Sequence, residues 1–221
     1  MAETTGRDVV EAAHVLARLG LVTAFGHVSA RAGASMLITP AADLATVAEA
    51  TVVDVPLAAS SLPAAAPAEA WAHLALYRAR PDARSIARAQ PASAFTAAAM
   101  TTSLTPLYGQ AAWLGDAIPV HDSAHLLRSA ELAERAAQAL PTGEALLLRG
   151  NGALTLGATP GVAVARMWLL SAACDAFVAA RAPSGVTPLT DEEIASWRAV
   201  GDELLPRLWR HLRERTLALP A

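Results

Sequence analysis

Residues 144–157 read EALLLRGNGALTLG. Two apolar segments of strand length flank Gly150-Asn151-Gly152, and short loops of asparagine and glycine are typical of a tight turn between antiparallel strands. The stretch therefore predicts a β-hairpin. On the residues alone Asn151 has an ordinary explanation, because asparagine before glycine is favoured at the left-handed position of such a turn.

Outward from this hairpin, helical and strand patterns alternate along the chain. Residues 161–181 are mostly apolar and predict a long central helix. Residues 189–217 predict a C-terminal helical segment with an N-cap at Thr190 and an interruption at Pro206. Because helices and strands alternate without an internal repeat, the fold class is α/β or α+β in a single domain over residues 1–221. Upstream, the pattern predicts helices over residues 4–19, 68–78, 92–100 and 130–140, strands over residues 21–31, 35–40 and 83–90, and a surface loop over residues 53–70.

The composition excludes several classes of protein. The chain has 221 residues, a net charge of −3 and seventeen basic residues, all of them arginine. Because arginine cannot lose its proton near neutral pH, the lack of lysine excludes a Schiff-base aldolase, a pyridoxal phosphate enzyme and a Walker-type ATPase. The basic residues are scattered, so no nucleic-acid partner is expected. The single cysteine, Cys174, lies in an apolar run, which favours a buried and inert thiol.

No targeting segment or membrane helix is expected from the sequence. The first residues are polar and then helical, without the basic flank and apolar stretch of a signal peptide. No apolar run reaches the roughly 18 residues that a membrane-spanning helix needs. We therefore expect a soluble, cytoplasmic protein that does not bind a membrane.

Six segments stand in a defined order along the chain: GLVTAFGHVSAR, LITP, EAWAHLALYRARPDARSI, PASAFTAAA, IPVHD and LLLRGNGALTLG. In this order and spacing they resemble the class II aldolase/adducin family over residues 8–180. The resemblance implies a three-layer α/β/α domain with a mostly antiparallel central sheet. It also implies a homotetramer whose active sites lie between neighbouring subunits and bind a small-molecule substrate.

The resemblance breaks at the metal site. Metal-dependent members of the family hold zinc with two histidines of an H-x-H strand and a third in an N-H-G turn. At those positions this chain has Arg88, Gln90 and Asn151, or, in an alignment shifted by one residue, Ala87 and Ala89 at the first two. We prefer the first alignment, because residues two apart share one face of a strand and both polar side chains then lie together. Either alignment removes the imidazoles, so we expect no metal and no other cofactor.

The residues with which the family binds phosphate are also replaced. The usual Thr-Pro-Ser-Gly turn reads TPAA from Thr39 to Ala42, residues 65–68 read AAPA in place of paired serines, and His27 replaces an asparagine. Hydroxyl groups and the N–H groups of glycine turns are the donors that cradle a phosphate. A sugar-phosphate substrate is therefore not expected.

Glu69 and Arg88 are the main candidates for the chemistry. The resemblance implies that Glu69 is the acid/base that takes and returns a proton, although an acid at a helix start is also favoured by the helix dipole. Arg88 on a buried strand needs an anionic partner. That partner is either structural, such as Glu69, or a substrate carboxylate or enolate, with arginine supplying the positive charge that zinc supplies elsewhere.

Five further residues complete the candidate site. Tyr108, in a loop before the next strand, is a candidate proton donor. Candidate substrate-binding residues are His27, Thr39, Gln90 and Asn151.

The preferred hypothesis is a metal-independent lyase or isomerase of specialised metabolism that acts through an enolate on a small, non-phosphorylated carboxylate or ketone. Decarboxylation, retro-aldol cleavage, dehydration and tautomerisation all pass through an enol or enolate and stay open. One alternative is a non-catalytic, oligomeric scaffold of the adducin type. Another is an iron-dependent oxidative decarboxylase or oxygenase, since the arginine strand and the RGNGA turn are similar to aldolase-like proteins of aminocoumarin antibiotic pathways. A third is a zinc enzyme with relocated ligands at His27, His121 or His125.

Overall fold

A computed structural model describes residues 4–180 and 188–217. Within these ranges eight strands form one sheet in the order β3-β2-β1-β4-β8-β7-β6-β5. Neighbouring strands are antiparallel except β6 and β7, which are parallel, so the sheet is mostly antiparallel as predicted. The strands are β1 (His27–Ala32), β2 (Ser35–Ile38), β3 (Val53–Pro56), β4 (Ser85–Ala89), β5 (Ser103–Leu104), β6 (Ile118–His121), β7 (Ala145–Leu148) and β8 (Gly152–Gly157).

Helices cover both faces of this sheet. Helices α1, α3, α5 and α7 share one apolar core with one face, and α2 and α4 share a second core with the other face. This arrangement confirms the three-layer α/β/α fold. The helices are α1 (Gly6–Arg18), α2 (Ala70–Ala79), α3 (Ala92–Met100), α4 (Ala130–Gln138), α5 (Pro160–Ala179), α6 (Asp191–Arg198) and α7 (Gly201–Leu217).

The alternation of β1 and β4 places polar residues on the α2 side of the sheet. Val28 and Ala30 of β1 belong to the core formed with α1, α3 and α5, and successive strand residues point to opposite faces. Ser29 accordingly reaches His73 of α2, with 2.8 Å between its Oγ and the Nδ1 of that ring. His27 lies on the same face as Ser29, and it is the register partner of Arg88.

Two sequence-based predictions about elements were wrong. The predicted loop over residues 53–70 begins with β3, where Val53 and Val55 are buried and Asp54 is exposed. The C-terminal segment is interrupted by a turn at residues 199–200, and Pro206 lies inside α7. The predicted end of the long helix at Arg181 lies outside the described residues, as does the start of the chain at residues 1–3.

Helix α5 is long and apolar enough to cross a membrane by length and composition alone. Arg166 and Asp175 interrupt its apolar run. In the fold, 56% of its apolar window is buried, and α5 contacts α3, β8 and β4. A core helix passes the same test, so α5 is weak evidence for a membrane span.

Candidate active site

Arg88 lies at the centre of the sheet, on β4 between His27 of β1 and Leu154 of β8. It is only 3% exposed. Its Nη2 donates hydrogen bonds to Oδ1 of Asn151 at 2.6 Å and to the carbonyl oxygen of Asn151 at 3.4 Å. In the described part of the chain no carboxylate lies within ion-pair distance of it. Arg88 is thus a buried cation whose hydrogen bonds go to neutral oxygens.

The strand alternation agrees with the preferred alignment of β4. Ala87 and Ala89 point into the core shared with α1, α3 and α5, so they lie on the face opposite Arg88. The alignment that puts Ala87 and Ala89 at the family's ligand positions would therefore direct both positions away from His27 and Asn151.

Asn151 is held at the β7–β8 turn by its two neighbours. Gly150 (φ +67°) and Gly152 (φ +88°) take the left-handed conformations, and no described non-glycine residue has a positive φ. The explanation of Asn151 as a left-handed turn residue is therefore wrong. Its Oδ1 accepts from Arg88, and its Nδ2 is buried without a hydrogen-bond partner among the described residues.

Glu69 stands at the N-cap position of α2, but its side chain caps no backbone N–H. Its Oε1 instead accepts a hydrogen bond from Nε of Arg128 at 2.8 Å. The Glu69 side chain is 12% exposed and that of Arg128 is 56% exposed. Sequence analysis missed Arg128, because an arginine in a loop before a helix carries no signal of a partner 59 positions away.

His27 and His73 are buried neutral rings beside Arg88. Their ring centroids are 5.8 Å apart with the planes at 65°. Burial, and secondly the positive charge of Arg88, lower the pKa of His27 to about 3. Burial, followed by His27 and Arg88, lowers the pKa of His73 well below its usual value. Nδ1 of His27 and Nε2 of His73 have no hydrogen-bond partner within the described chain.

Burial also lowers the pKa of Arg88. The charge of Glu69 counteracts this effect and that of Arg128 adds to it. The charges of Glu69 and Arg128 therefore both reach the guanidinium of Arg88.

A cavity of about 460 Å³ lies beside this cluster and is open to part of it, while Arg88 and His73 remain buried behind its lining. His27, Glu69 and Arg128 line it, together with exposed Asp43 at its rim. None of its lining residues carries a hydroxyl group. The remaining lining residues are Ala24, Phe25, Gly26, Ala41, Ala42, Pro67 and Ala68.

Five predicted site residues do not line this cavity. Arg88 and Asn151 are buried beside His27 and are 3% and 4% exposed, and the other three have contacts elsewhere. Tyr108 packs with the core on the opposite face of the sheet, and its hydroxyl donates to the carbonyl oxygen of Leu169. Oγ1 of buried Thr39 accepts from the backbone N–H of Val28. Gln90 lies just beyond β4, where its Cγ faces Gly152.

A larger cavity of about 660 Å³ lies at the other end of β4, between α1, α7 and the start of α5. Its buried arginine, Arg166, donates to the carboxylate of Glu144 and to the carbonyl oxygen of Leu156, both at 2.9 Å. That cation already has an anionic partner, whereas Arg88 has none within the described residues. We therefore place the candidate active site at Arg88 rather than in the larger cavity.

The three layers, the carboxylate at the start of α2 and the polar turn between β7 and β8 define a domain of the aldolase type. The chain belongs to the family described as Class II Aldolase and Adducin N-terminal domain, whose model matches residues 7–178. A comparison with curated proteins gives no significant match.

Solved structures agree with this assignment. The L-fuculose-1-phosphate aldolase of Thermus thermophilus is 27% identical, with a TM-score of 0.73 over 82% of this chain and 97% of that one. An aldolase II superfamily protein of Pseudomonas syringae is 19% identical, with a TM-score of 0.79 over 96% and 91%. The L-fuculose 1-phosphate aldolase of Glaciozyma antarctica is 18% identical, with a TM-score of 0.74 over 95% and 88%. The last two likenesses show the fold alone.

The residues present do not fit the zinc ion of metal-dependent relatives. The guanidinium of Arg88 has no free lone pair for a metal and carries a positive charge that would repel it. Oδ1 of Asn151 is already bound to Arg88. No three His, Cys, Asp or Glu side chains of residues 4–180 and 188–217 come together as ligands, including His27, His121 and His125.

Proposed function

We propose that the protein is a metal-independent lyase or isomerase that forms an enolate from a small, non-phosphorylated carboxylate or ketone. The observation that carries the proposal is the buried guanidinium of Arg88, which has no carboxylate partner among the described residues. Burying an uncompensated charge costs free energy, so such a cation is typical of a site completed by an anion. His27, His73 and Asn151 each have a buried polar atom without a hydrogen-bond partner among residues 4–180 and 188–217, and these atoms can offer further hydrogen bonds.

The two charged residues divide the chemistry between them. Glu69 removes a proton from the carbon next to a carbonyl group, and the electron pair of the C–H bond moves onto the carbonyl oxygen. Arg88 donates hydrogen bonds to that oxygen as its negative charge develops. Return of the proton from Glu69 to the same or a neighbouring carbon gives exchange or tautomerisation. In retro-aldol cleavage or decarboxylation, the enolate forms when a C–C bond breaks, and Arg88 has the same role.

The cavity lining supports a substrate without phosphate. Alanine and proline occupy the cavity wall at Ala41, Ala42, Pro67 and Ala68, where the family resemblance implies phosphate donors. A phosphate would lose hydrogen bonds with water there without regaining them from the protein. The Thermus thermophilus structure is named as an L-fuculose-1-phosphate aldolase. L-fuculose 1-phosphate is therefore the natural negative control, since we expect no reaction with it.

The test is deuterium exchange in D₂O, followed by NMR, with small oxo acids, neutral ketones and L-fuculose 1-phosphate as probes. The protein is first dialysed against a chelator and shown by elemental analysis to be free of zinc and iron. We expect it to exchange the hydrogen on the carbon next to the carbonyl group of an oxo acid for deuterium. Glu69→Gln and Arg88→Met should each lower the rate by about a hundredfold or more. Glu134→Gln and Arg7→Met, at exposed positions, are the matched controls.

The outcomes separate this proposal from its alternatives. A rate that requires added zinc or iron would favour a metal enzyme and contradict the proposal. No exchange with any probe would favour the adducin-type scaffold. Exchange that persists in both site variants would show that these residues do not carry the chemistry.

A further inference from the structure

Arg128 is the charged residue of the site to which the proposed chemistry gives no role. It lies in the loop between β6 and α4, one residue before the N-cap Ser129. Its side chain is 56% exposed and lines the same cavity as Glu69 and His27.

The ion pair with Arg128 engages the proposed base. Within the described residues, the Glu69 side chain makes one hydrogen bond: its Oε1 accepts from Nε of Arg128 at 2.8 Å. While this pair persists, that oxygen faces a guanidinium rather than a substrate C–H bond. A proton-transfer step through Oε1 therefore requires Arg128 to move.

The charges of the site lack one anion. Arg88 and Arg128 bring two positive charges and Glu69 brings one negative charge. Asp43 lies at the cavity rim, and because it is exposed, water screens its negative charge. Its Oδ1 also accepts a hydrogen bond from the backbone N–H of Ala45. A substrate with one carboxylate would balance the two arginines and Glu69.

The two arginines differ in freedom. Arg88 is fixed in β4 between two paired strands. Arg128 extends from a loop and its side chain is 56% exposed, so water can solvate its guanidinium when it turns away, whereas the Glu69 side chain is only 12% exposed. Arg128 can therefore exchange Glu69 for a second carboxylate that offers an equal partner, while the charge of Arg88 continues to act on Glu69.

We propose that Arg128 is a substrate-responsive latch, which holds Glu69 in the free site and turns to the carboxylate of a bound monocarboxylate, freeing Glu69 for proton transfer. This inference rests on the proposed function and names its substrate class. The preferred substrates are monoanionic oxo or hydroxy acids, and neutral ketones do not release the latch.

The test is a double-mutant cycle on binding, measured by calorimetry with glycolate and its neutral counterpart glycolamide. We expect Arg128→Gln to weaken glycolate binding by about tenfold and to leave glycolamide unchanged. Glu69→Gln should strengthen glycolate binding, because the competing carboxylate is gone. In the double variant this gain should disappear, since Arg128 is no longer there to be released.

Arg135→Gln, on the exposed side of α4, is the matched control and should change neither ligand. A gain from Glu69→Gln that keeps its full size without Arg128 would reflect plain charge repulsion and would overturn the latch. Failure of glycolate to bind the native protein at millimolar concentration would overturn the substrate class.

Binding is measured without turnover, so the two proposals fail separately. Failure of the proposed function appears as a lack of deuterium exchange, whereas failure of the latch appears as additive effects in the cycle.

Discussion

The two arginines that are buried in the described part of the chain have opposite surroundings. Arg166 donates to the carboxylate of Glu144, whereas Arg88 donates only to the neutral oxygens of Asn151 in the described chain. A buried cation with a carboxylate partner, such as Arg166, has its charge compensated within the folded protein. A buried cation without one lowers stability, which fits the proposed role of Arg88 in binding an anion.

This contrast predicts different effects of the same substitution on stability. Arg166→Met leaves Glu144 without its partner and should lower the free energy of unfolding by about 3 kcal/mol or more. Arg88→Met removes an uncompensated charge but leaves Asn151 unpaired, and these effects offset each other to within about 1 kcal/mol. Urea denaturation, with unchanged m-values, measures both. Equal losses in the two variants would show that Arg88 is a structural residue.

His27 predicts how stability depends on pH. Its pKa is about 3 in the folded protein against the usual 6.5. Between these values the unfolded chain binds a proton that the folded protein does not. Stability is therefore fully present above pH 6.5 and falls as the pH is lowered toward 3, by about 1.4 kcal/mol per pH unit for this residue.

His27→Asn should remove this contribution and flatten the decline in unfolding free energy between about pH 6 and pH 4. His73 has its pKa lowered in the same direction, so part of the slope should persist. His211→Asn, at an exposed position, is the control and should keep the native slope. A native slope in His27→Asn would mean that His27 is protonated in the folded protein.

At the scale of elements, local patterns were sufficient wherever the element was long or had a clear turn. The β7–β8 hairpin follows from Gly150-Asn151-Gly152, and α3 has the predicted bounds. Strand β3 was missed because its four residues adjoin a long Pro/Ala/Ser-rich stretch that dominates the composition. At the break before α7, a Cβ added to Gly201 would lie 3.0 Å from the Trp113 ring, a close approach that no local pattern contains.

The candidate site was predicted in part for the same reason. His27, Glu69, Arg88 and Asn151 each occupy a family motif, and the fold brings them close together. Thr39 occupies a motif as well, but its hydroxyl binds the backbone of β1. Arg128 lies outside every motif, and its pairing with Glu69 depends on the packing of α4 against α2.

The β7–β8 turn predicts a large difference between two glycine substitutions. Gly33 (φ +57°) in the β1–β2 turn has open space around an added Cβ, so Gly33→Ala should cost only the strain of a left-handed alanine, about 1–2 kcal/mol. At Gly152 (φ +88°) an added Cβ would lie 2.2 Å from the carbonyl oxygen of Ala89. Gly152→Ala should cost clearly more and, by moving Asn151, weaken glycolate binding. Urea denaturation and calorimetry compare the two, and equal costs would contradict the close approach of β4 to this turn.

At the scale of the whole molecule, the family resemblance implies a tetramer with sites between subunits. One feature of the chain supports this expectation: Phe25 is 64% exposed although it is a large apolar residue at the mouth of the cavity. Burying such a side chain contributes about 2 kcal/mol, so a neighbouring subunit that covers it would be stabilised by it. The site would then be complete only in the assembly.

We therefore expect light scattering to give the mass of four chains. Phe25→Glu should shift the protein toward smaller species and weaken glycolate binding together, because a charge at a covered apolar contact opposes association. Val200→Glu is the matched control, since Val200 is also exposed and apolar but does not line the cavity. A native monomer that binds glycolate as tightly as the proposal requires would contradict the shared site, because every group needed for binding would then come from a single chain.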